Sequence, residues 1–561
     1  MNTGFDYIVI GSGSAGAAIA GRLSEDGDVS VLLLEAGGRD RHPFLWMPLV
    51  FRMIINNPSY SWNYLSEPEP HLNNRRLEIP RGKTLGGTSS INAMIAIRGN
   101  RRDYDLLEEQ GLAGWGYADV LPYFRRMENS WRGEGPYHGG SGPIRITPID
   151  HPDMLFEPLR QAAVAAGIAF NDDPNGERQE GISRMEATIG DGRRSSTARA
   201  YLQCAKERKN LTIRTGALTS RILIESGRAV GVEYVQGGLV CRARAAREVV
   251  LSAGSYNSPQ ILMLSGIGPA DHLRSVGITP VHDLPGVGQN LCEHPNLIMI
   301  FRAREHVGIT KVLRLDRAVM SAARWFLRRD GLFATNGSAA NIFVRTQPRL
   351  DRPDVQLICM AVNNSASLWF PGVTAPPLWG FSVRTGALHP RSRGWVRLQS
   401  SRPEDKPRIL FNLLAEPEDM AAMIRGVHAC REIYATSPQR DLVEHEVIPG
   451  PNIRGDAELA NAIRQNAGHR SHPVGTCRMG HDANAVVDDQ LRVHGIEGLR
   501  VADASILPEV TSGNTNLPSI MIGEKAADLL LGRRLPRDAT VDKGREVRKG
   551  GSKADLGLRQ A

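Results

Sequence analysis

The chain has 561 residues, 41% hydrophobic and 23% charged, with 68 Lys/Arg against 60 Asp/Glu and a formal charge of +8. That is the composition of an ordinary globular protein, too long for one typical domain, so two domains or one large core with an added lobe are expected. The composition excludes a membrane-spanning apolar run, the N-terminus lacks the basic, apolar and small-residue succession of a secretory signal, and six scattered cysteines without a C-x-x-C pair point to free thiols in a reducing cytoplasm, not to a disulfide framework or zinc site.

In chain order, "FDYIVIG" is a short Ile/Val-rich run that predicts a buried parallel strand. "GSGSAG" follows, with Gly11, Gly13 and Gly16 in G-x-G-x-x-G spacing; "AGAAIAGRLSE" then predicts a helix, and "VSVLLLEAG" a second strand ending in Glu35. Together these make a βαβ dinucleotide fingerprint. Gly11 permits the tight turn, Gly13 lets a pyrophosphate approach the backbone, Gly16 lets the helix pack close to the strand, and the helix N-terminus offers free N–H groups. Glu35 suits ribose hydroxyls and repels a 2′-phosphate, which argues against NADP and leaves FAD and NAD. No second such unit occurs, so one dinucleotide is expected.

Residues 40–80 are irregular and rich in Pro, Asn and aromatics, a lid-like stretch. Residues 211–252 predict several short strands, 301–410 a mixed region containing the strand-like "DVQLICMAV" and "GWVRLQS", and 416–435 and 455–467 helices. The end returns to a strand and helix, "LRVADASILP" and "SIMIGEKAADLLLG", with Gly532 as the helix stop. Residues 533–561 hold nine Lys/Arg and four Asp/Glu with few large apolar side chains. They predict a disordered, solvated tail, and since most of the net charge sits there it carries no case for nucleic acid.

Three longer segments are more specific: "GKTLGGTSSINAMIAIRG" (82–99), "GSYNSPQILMLSGIGP" (254–269), and "HPVGTCRMG" (472–480) followed by "ADASILPEVTSGNTNLPSIMIGEKAADLL" (502–530). With "GSGSAG" they resemble the glucose–methanol–choline (GMC) oxidoreductases, most closely the bacterial choline- and alcohol-dehydrogenase-like branch, from about residue 5 to residue 531. The resemblance implies an α/β fold: a Rossmann-type FAD-binding domain with an inserted α+β substrate-binding domain. The expected layout is 1–300 for the FAD domain, 301–484 for the substrate domain, 485–532 for the return to the FAD domain, and 533–561 for the tail. It further implies that Gly11, Gly13, Ser14 and Ala15 hold the FAD pyrophosphate and Glu35 the adenosine ribose. Arg81 and the Gly86–Gly87–Thr88 turn lie along the cofactor. Asn92, Ala93 and Met94 approach the isoalloxazine, and the Thr219 backbone meets the adenine. Asp503 and Ala504 meet the ribityl and pyrophosphate region, and Asn516 and Pro518 the pyrimidine ring. Some members link FAD through a histidine where this chain has Ile91, so non-covalent FAD is expected.

Alcohol oxidation by a flavin moves a hydride from carbon, and the hydroxyl proton must leave too; a histidine suits that proton. The resemblance gives this role to His472 and the second catalytic position to Asn514, whose amide orients the substrate oxygen. The helix that follows would aim its positive end at reduced flavin. A metal role for His472 is disfavoured because Cys477 and His481 make no recognised ligand set and no carboxylate joins them; Cys477 reads as a small buried residue. Asn516 caps the helix, meets the flavin, or both. For the substrate, residues 355–389 contain no Asp or Glu, while a choline-type cation wants an anion or an aromatic cage. Trp369, Phe370, Trp379 and Phe381 suggest an apolar or aryl pocket, and Arg470 either faces the substrate or is solvated. The expectation is a primary alcohol, an aromatic one included, with oxygen or a quinone as electron acceptor and no nucleic-acid partner. A choline dehydrogenase-like enzyme and an FAD-dependent lyase of the same fold are the alternatives.

Overall fold

The computed structural model describes residues 4–364 and 366–541. Gly4–Ile10 and Val31–Glu35 form adjacent parallel strands, Tyr7 pairing with Val31 and Ile10 with Leu34. The side chains from Tyr7 to Ile10 and from Val31 to Glu35 are buried, as expected of strands covered on both faces. The helix Ser14–Leu23 connects them. Gly11 turns the chain with φ +93, and a Cβ on Gly16 would stand 1.9 Å from the Gly11 carbonyl, so helix and strand approach only because both are glycine.

Leu211–Thr215 joins one side of this pair and Leu239–Leu251 the other, both parallel. The antiparallel strands Ala217–Glu225 and Arg228–Gln236 extend the sheet, and Leu499–Val501 adds a last parallel strand beside Leu239–Leu251. The C-terminal helix Asn516–Leu530 lies on Ser14–Leu23. Its fully buried Glu524 fixes that contact, accepting from Arg22 Nε at 3.0 Å, Arg126 Nε at 2.7 Å and the Tyr201 hydroxyl at 2.6 Å. Losing one partner of such a buried cluster costs about 3–5 kcal/mol.

A second, antiparallel sheet runs in the order Val443–Ile448, Pro295–Ala303, Gly380–Ala387, Val355–Met360, Ala340–Val344, Gly181–Arg184. Its side chains alternate between two faces. The Val355 and Thr385 face packs against the helix Pro417–Tyr434; the opposite face, carrying Ile358, Met360 and Arg384, lines a cavity shared with the first sheet.

The expected segment limits differ from this arrangement in four places. Gly181–Arg184 belongs to the second sheet although it precedes residue 301, because it pairs with Ala340–Val344. The limit at 300 falls inside Pro295–Ala303. The chain rejoins the first core by Val474, ahead of 485, since Val474, Cys477 and Met479 pack with the nucleotide-side strands. The start of the expected tail also differs: Arg537 pairs with Glu108 at 2.5 Å and Asp119 at 2.9 Å, and Val541 is buried. Residues 542–561 lie outside the described residues.

Candidate active site

A deep cavity runs between the two sheets. At one end its wall is the nucleotide fingerprint: Gly11, Gly13, Ser14, Ala15, Glu35 and Thr219. Along it lie Arg81, Gly87, Thr88, Asn92, Ala93, Met94, Asp503, Ala504 and Asn516, and His472 and Asn514 face the same space. Gly86 and Pro518 are not on the wall. Gly86, at φ +83, turns the chain ahead of Gly87, and Pro518 sits in the first turn of its helix, where a missing N–H is tolerated.

The wall is shaped for a ligand with polar edges. A Cβ on Gly13 would meet nothing within 4 Å. Four buried polar atoms on the wall have no hydrogen-bond partner among the described residues: Thr219 Oγ1, Arg81 Nε, Arg81 Nη2 and the Tyr256 hydroxyl. Glu35 is held by Ser12 Oγ at 2.6 Å and the Gly37 N–H at 2.7 Å, and burial raises its carboxyl above the usual range against those bonds. Asp503 accepts from the Gly254 N–H at 2.9 Å and Ser258 Oγ at 2.5 Å. Asn516 is the first residue of its helix, not its cap, and its Oδ1 accepts from Ser14 Oγ at 2.8 Å, tying the two helix N-termini together. Asn92 is oriented by Arg194 Nη1 at 2.8 Å, and Met94 holds a left-handed φ of +61. These features fit the FAD that the sequence implies. Ile91 is fully buried on the wall, packed with Leu45 and Ile54.

His472 is fixed from both sides. The Cys292 and Val474 backbones exchange hydrogen bonds of 3.1 and 3.0 Å, laying 472–474 against 292–294. The His472 N–H donates to both Glu293 carboxylate oxygens, at 2.9 and 2.8 Å. Its ring Nδ1 lies 3.0 Å from His294 Nδ1, and its Nε2 lies 3.0 Å from Asn514 Nδ2.

The network assigns the protons. His294 Nε2 is 3.1 Å from the Leu388 carbonyl, which can only accept, so His294 Nε2 carries hydrogen. Burial, then the charges of Arg470 and His389, hold His294 neutral with a pKa well below its usual value. Its Nδ1 is therefore a lone pair, and His472 Nδ1 must donate to it. Burial, then His294, Arg470, Arg81 and His469, push His472 well below 6.5 as well. Neutral His472 thus presents a bare Nε2, to which the Asn514 amide donates. Asn514 is oriented in turn by Gln356 Nε2, 3.5 Å from its Oδ1.

The second histidine in this relay was missed in the sequence: "CEHP" (292–295) carries no periodic or spacing signal, and 178 residues separate His294 from His472. Glu293 also revises the expectation that no carboxylate joins His472. Donor atoms of Glu293, His294 and His472 lie within 4.8 Å of one another. The two rings are hydrogen-bonded together and the carboxylate accepts backbone N–H groups. Burial lifts Glu293 to about 7, opposed by Arg81 and those N–H groups. Arg470 is not solvated: it is buried and donates to Asn296 Oδ1, Gln356 Oε1 and the Gln356 and Arg384 carbonyls. Trp369, Phe370, Trp379 and Phe381 are not on the cavity wall; the aromatic wall is Phe51, Trp62, Tyr64 and Tyr256. Phe381 points to the core face of its strand and Trp379 stacks on His306.

Residues 5–296 and 390–523 match the N-terminal and C-terminal family models of the GMC oxidoreductases. An oxygen-dependent choline dehydrogenase of Rhizobium etli (strain CIAT 652) is 45% identical over 531 residues, covering 94% of this chain and 96% of the relative. Among solved structures, a formate oxidase of Aspergillus oryzae RIB40 superposes with a TM-score of 0.88 at 28% identity, covering 94% of this chain and 98% of its own. A pyridoxine 4-oxidase from Mesorbium loti superposes with 0.83 at 30% identity, covering 95% and 100%. Among the described residues no helix is long and apolar enough to cross a membrane. The two family models together match well over half of the chain, which belongs to the GMC oxidoreductase family.

Proposed function

We propose that the protein oxidises a primary alcohol, aromatic ones included, to the aldehyde with FAD as its cofactor. The observation that carries the reading is the bare Nε2 of His472 beside Asn514 on the wall of a cavity that continues to the nucleotide fingerprint. FAD, when bound, supplies the acceptor for the hydride that leaves the carbinol carbon. Gly11, Gly13, Ser14, Ala15 and Glu35 would hold its nucleotide part, with Thr219, Arg81, Asn92 and Asp503 farther along. His472 takes the hydroxyl proton at Nε2, while its own Nδ1 hydrogen is held by the lone pair of His294 Nδ1. Asn514 donates to the substrate oxygen without competing for its proton. The positive end of Asn516–Leu530 faces the cavity, where negative charge develops. Ile91 supports non-covalent FAD, since it offers no atom to link. Six free cysteines support a reducing cytoplasm. Oxygen is the acceptor to test first, quinones next. A choline-type alcohol is the second reading, favoured by the names of the relatives.

The test is anaerobic mixing with a panel of primary alcohols, scored by loss of visible flavin absorbance. His472→Ala is expected to retain flavin and to slow its reduction roughly 10²–10⁴-fold, the usual contribution of a positioned base. Reduction of the variant at the wild-type rate, or no bleaching by any alcohol, refutes the reading.

A further inference from the structure

Arg384 stands on the cavity face of its strand, paired across the sheet with Ile358. Among the described residues its guanidinium makes one long hydrogen bond, 3.5 Å to Asn364 Oδ1. Arg52 already holds that oxygen at 2.6 Å. The groups that act on Arg384 are burial and the Arg52 charge, which lower it to about 10, with no carboxylate among them. Arg470 lies directly beneath, donating to the Arg384 carbonyl at 2.6 Å. A Cβ on Gly386 would fall 2.5 Å from Arg470 Nε, so glycine there makes room for the second guanidinium. The donors of Arg470 go to neutral oxygens. Two adjacent guanidiniums, Arg470 buried and Arg384 partly buried, thus line the cavity, one of them with most of its donors free. Burying such charge without a counter-ion is unfavourable.

Of the carboxylates on the wall, Glu404 is exposed to solvent and 4.0 Å from Arg402, and the others are committed elsewhere. Glu35 is held by Ser12 and Gly37, and Asp503 by Gly254 and Ser258. Asp405 accepts from Ser400 Oγ at 2.6 Å, on the segment that meets Gln260 of the nucleotide side. Of the four aromatic rings on the wall, two are taken by the chain's own cations, Lys83 Nζ lying 4.3 Å from the Trp62 ring centre and Arg81 5.2 Å from that of Tyr256, and Tyr64 stacks on Trp62 at 5.8 Å, which leaves Phe51 alone. A cationic substrate finds no free cage here.

We propose that Arg384 binds a carboxylate of the substrate, so that the alcohol oxidised is a hydroxy acid with its hydroxyl at His472 and Asn514. The inference rests on the alcohol-oxidation reading. The carboxylate is a spectator: the carbinol C–H leaves as hydride to the FAD, the O–H proton goes to His472, and the C–O bond becomes a carbonyl. A carboxylate fits better than a phosphate because one planar fork is free, which matches a single charge and two oxygens.

The experiment uses the holoenzyme without oxygen and compares kcat/KM for flavin reduction within matched pairs: para-(hydroxymethyl)benzoate against benzyl alcohol, and beta-hydroxypropionate against propanol. Choline and ethylene glycol monophosphate are further arms. The acid of at least one pair is expected to exceed its uncharged partner by roughly 10²-fold, the scale of a charge-assisted hydrogen-bonded pair. Arg384→Met is expected to bring that ratio close to one, with the loss in KM, because the carboxylate is held alike before and during reaction. Arg384→Lys should keep part of it. If Arg384→Met does not fold, Arg384→Lys decides: a reduced ratio supports the inference and an unchanged ratio overturns it. A wild-type ratio near one, or preference for choline or the phosphate, overturns the carboxylate site and leaves alcohol oxidation standing. Failure of every alcohol to bleach the flavin overturns alcohol oxidation itself.

Discussion

Replacing His294 by Leu tests whether the histidine pair sets the proton position on the base. In the native relay the His472 Nδ1–H donates to His294 Nδ1 at 3.0 Å, and both rings are buried. Leucine removes the acceptor, and a buried N–H left unpaired costs about 1–3 kcal/mol. His472 escapes this cost by moving its hydrogen to Nε2, which closes the lone pair that must take the substrate proton. The productive tautomer is then disfavoured by the same amount, so flavin reduction should fall roughly 10–10²-fold. His294→Asn keeps an oxygen acceptor close to the Nδ1 position and should recover most of the rate. The assay is anaerobic stopped-flow reduction by one saturating alcohol across pH, with flavin content measured in parallel. Burial and neighbouring positive charges hold His472 well below 6.5. The base is active when unprotonated, so the wild-type rate should persist as pH falls through 6.5 and decline only at lower pH. Wild-type reduction by His294→Leu would refute the tautomer argument, and equal losses in the Leu and Asn variants would assign His294 to packing alone.

Two further outcomes follow from the cofactor wall and the C-terminal segment. Acid precipitation should release all flavin colour into the supernatant, because Ile91 cannot form a covalent link; colour retained in the pellet contradicts this. Truncation after residue 541 should leave flavin content and turnover unchanged. Truncation after 532 removes the buried Val541 and the Arg537 pairs with Glu108 and Asp119. It should cost about 2–4 kcal/mol, from one buried Val and a few half-exposed ion pairs, and lower the thermal midpoint. Equal midpoints for the two truncations would show that 533–541 contributes nothing.

What could be read from the sequence follows the distance over which each feature is built. The nucleotide end is encoded within forty residues, because a βαβ unit folds on itself and its turn, dipole and acid are local. The helices at 417–434 and 456–466 and the stop at Gly532 were legible for the same reason. His472 was legible only as part of a motif, while His294 became visible when the strand Pro295–Ala303 brought 292–294 beside 472–474. The aromatic residues 369–381 misled for a geometric reason. Along Gly380–Ala387 the side chains alternate, so Phe381, Val383 and Thr385 face the helix-covered side and Arg384 the cavity. Composition counts residues and not faces; the register of that strand, which only tertiary pairing fixes, turns an apparently aryl pocket into one floored by guanidinium groups.

That register also links the substrate to the strength of the base. Arg470 is among the charges that keep His472 from holding a proton, and its own partners are neutral oxygens, with Glu293 the one carboxylate acting on it. Without a substrate anion, this arrangement keeps His472 neutral and its lone pair available, but it also makes the imidazolium that forms during oxidation costly. An anion held at Arg384 sits next to Arg470 and offsets that charge, so it raises the affinity of His472 for the proton at the moment the hydroxyl loses it. An uncharged alcohol leaves the field in place. The same guanidinium pair that selects a hydroxy acid therefore makes the base stronger when the matching substrate is bound. Part of the preference should accordingly appear as a substrate-dependent shift in the acidic limb of the flavin-reduction pH profile, absent with benzyl alcohol and lost in Arg384→Met.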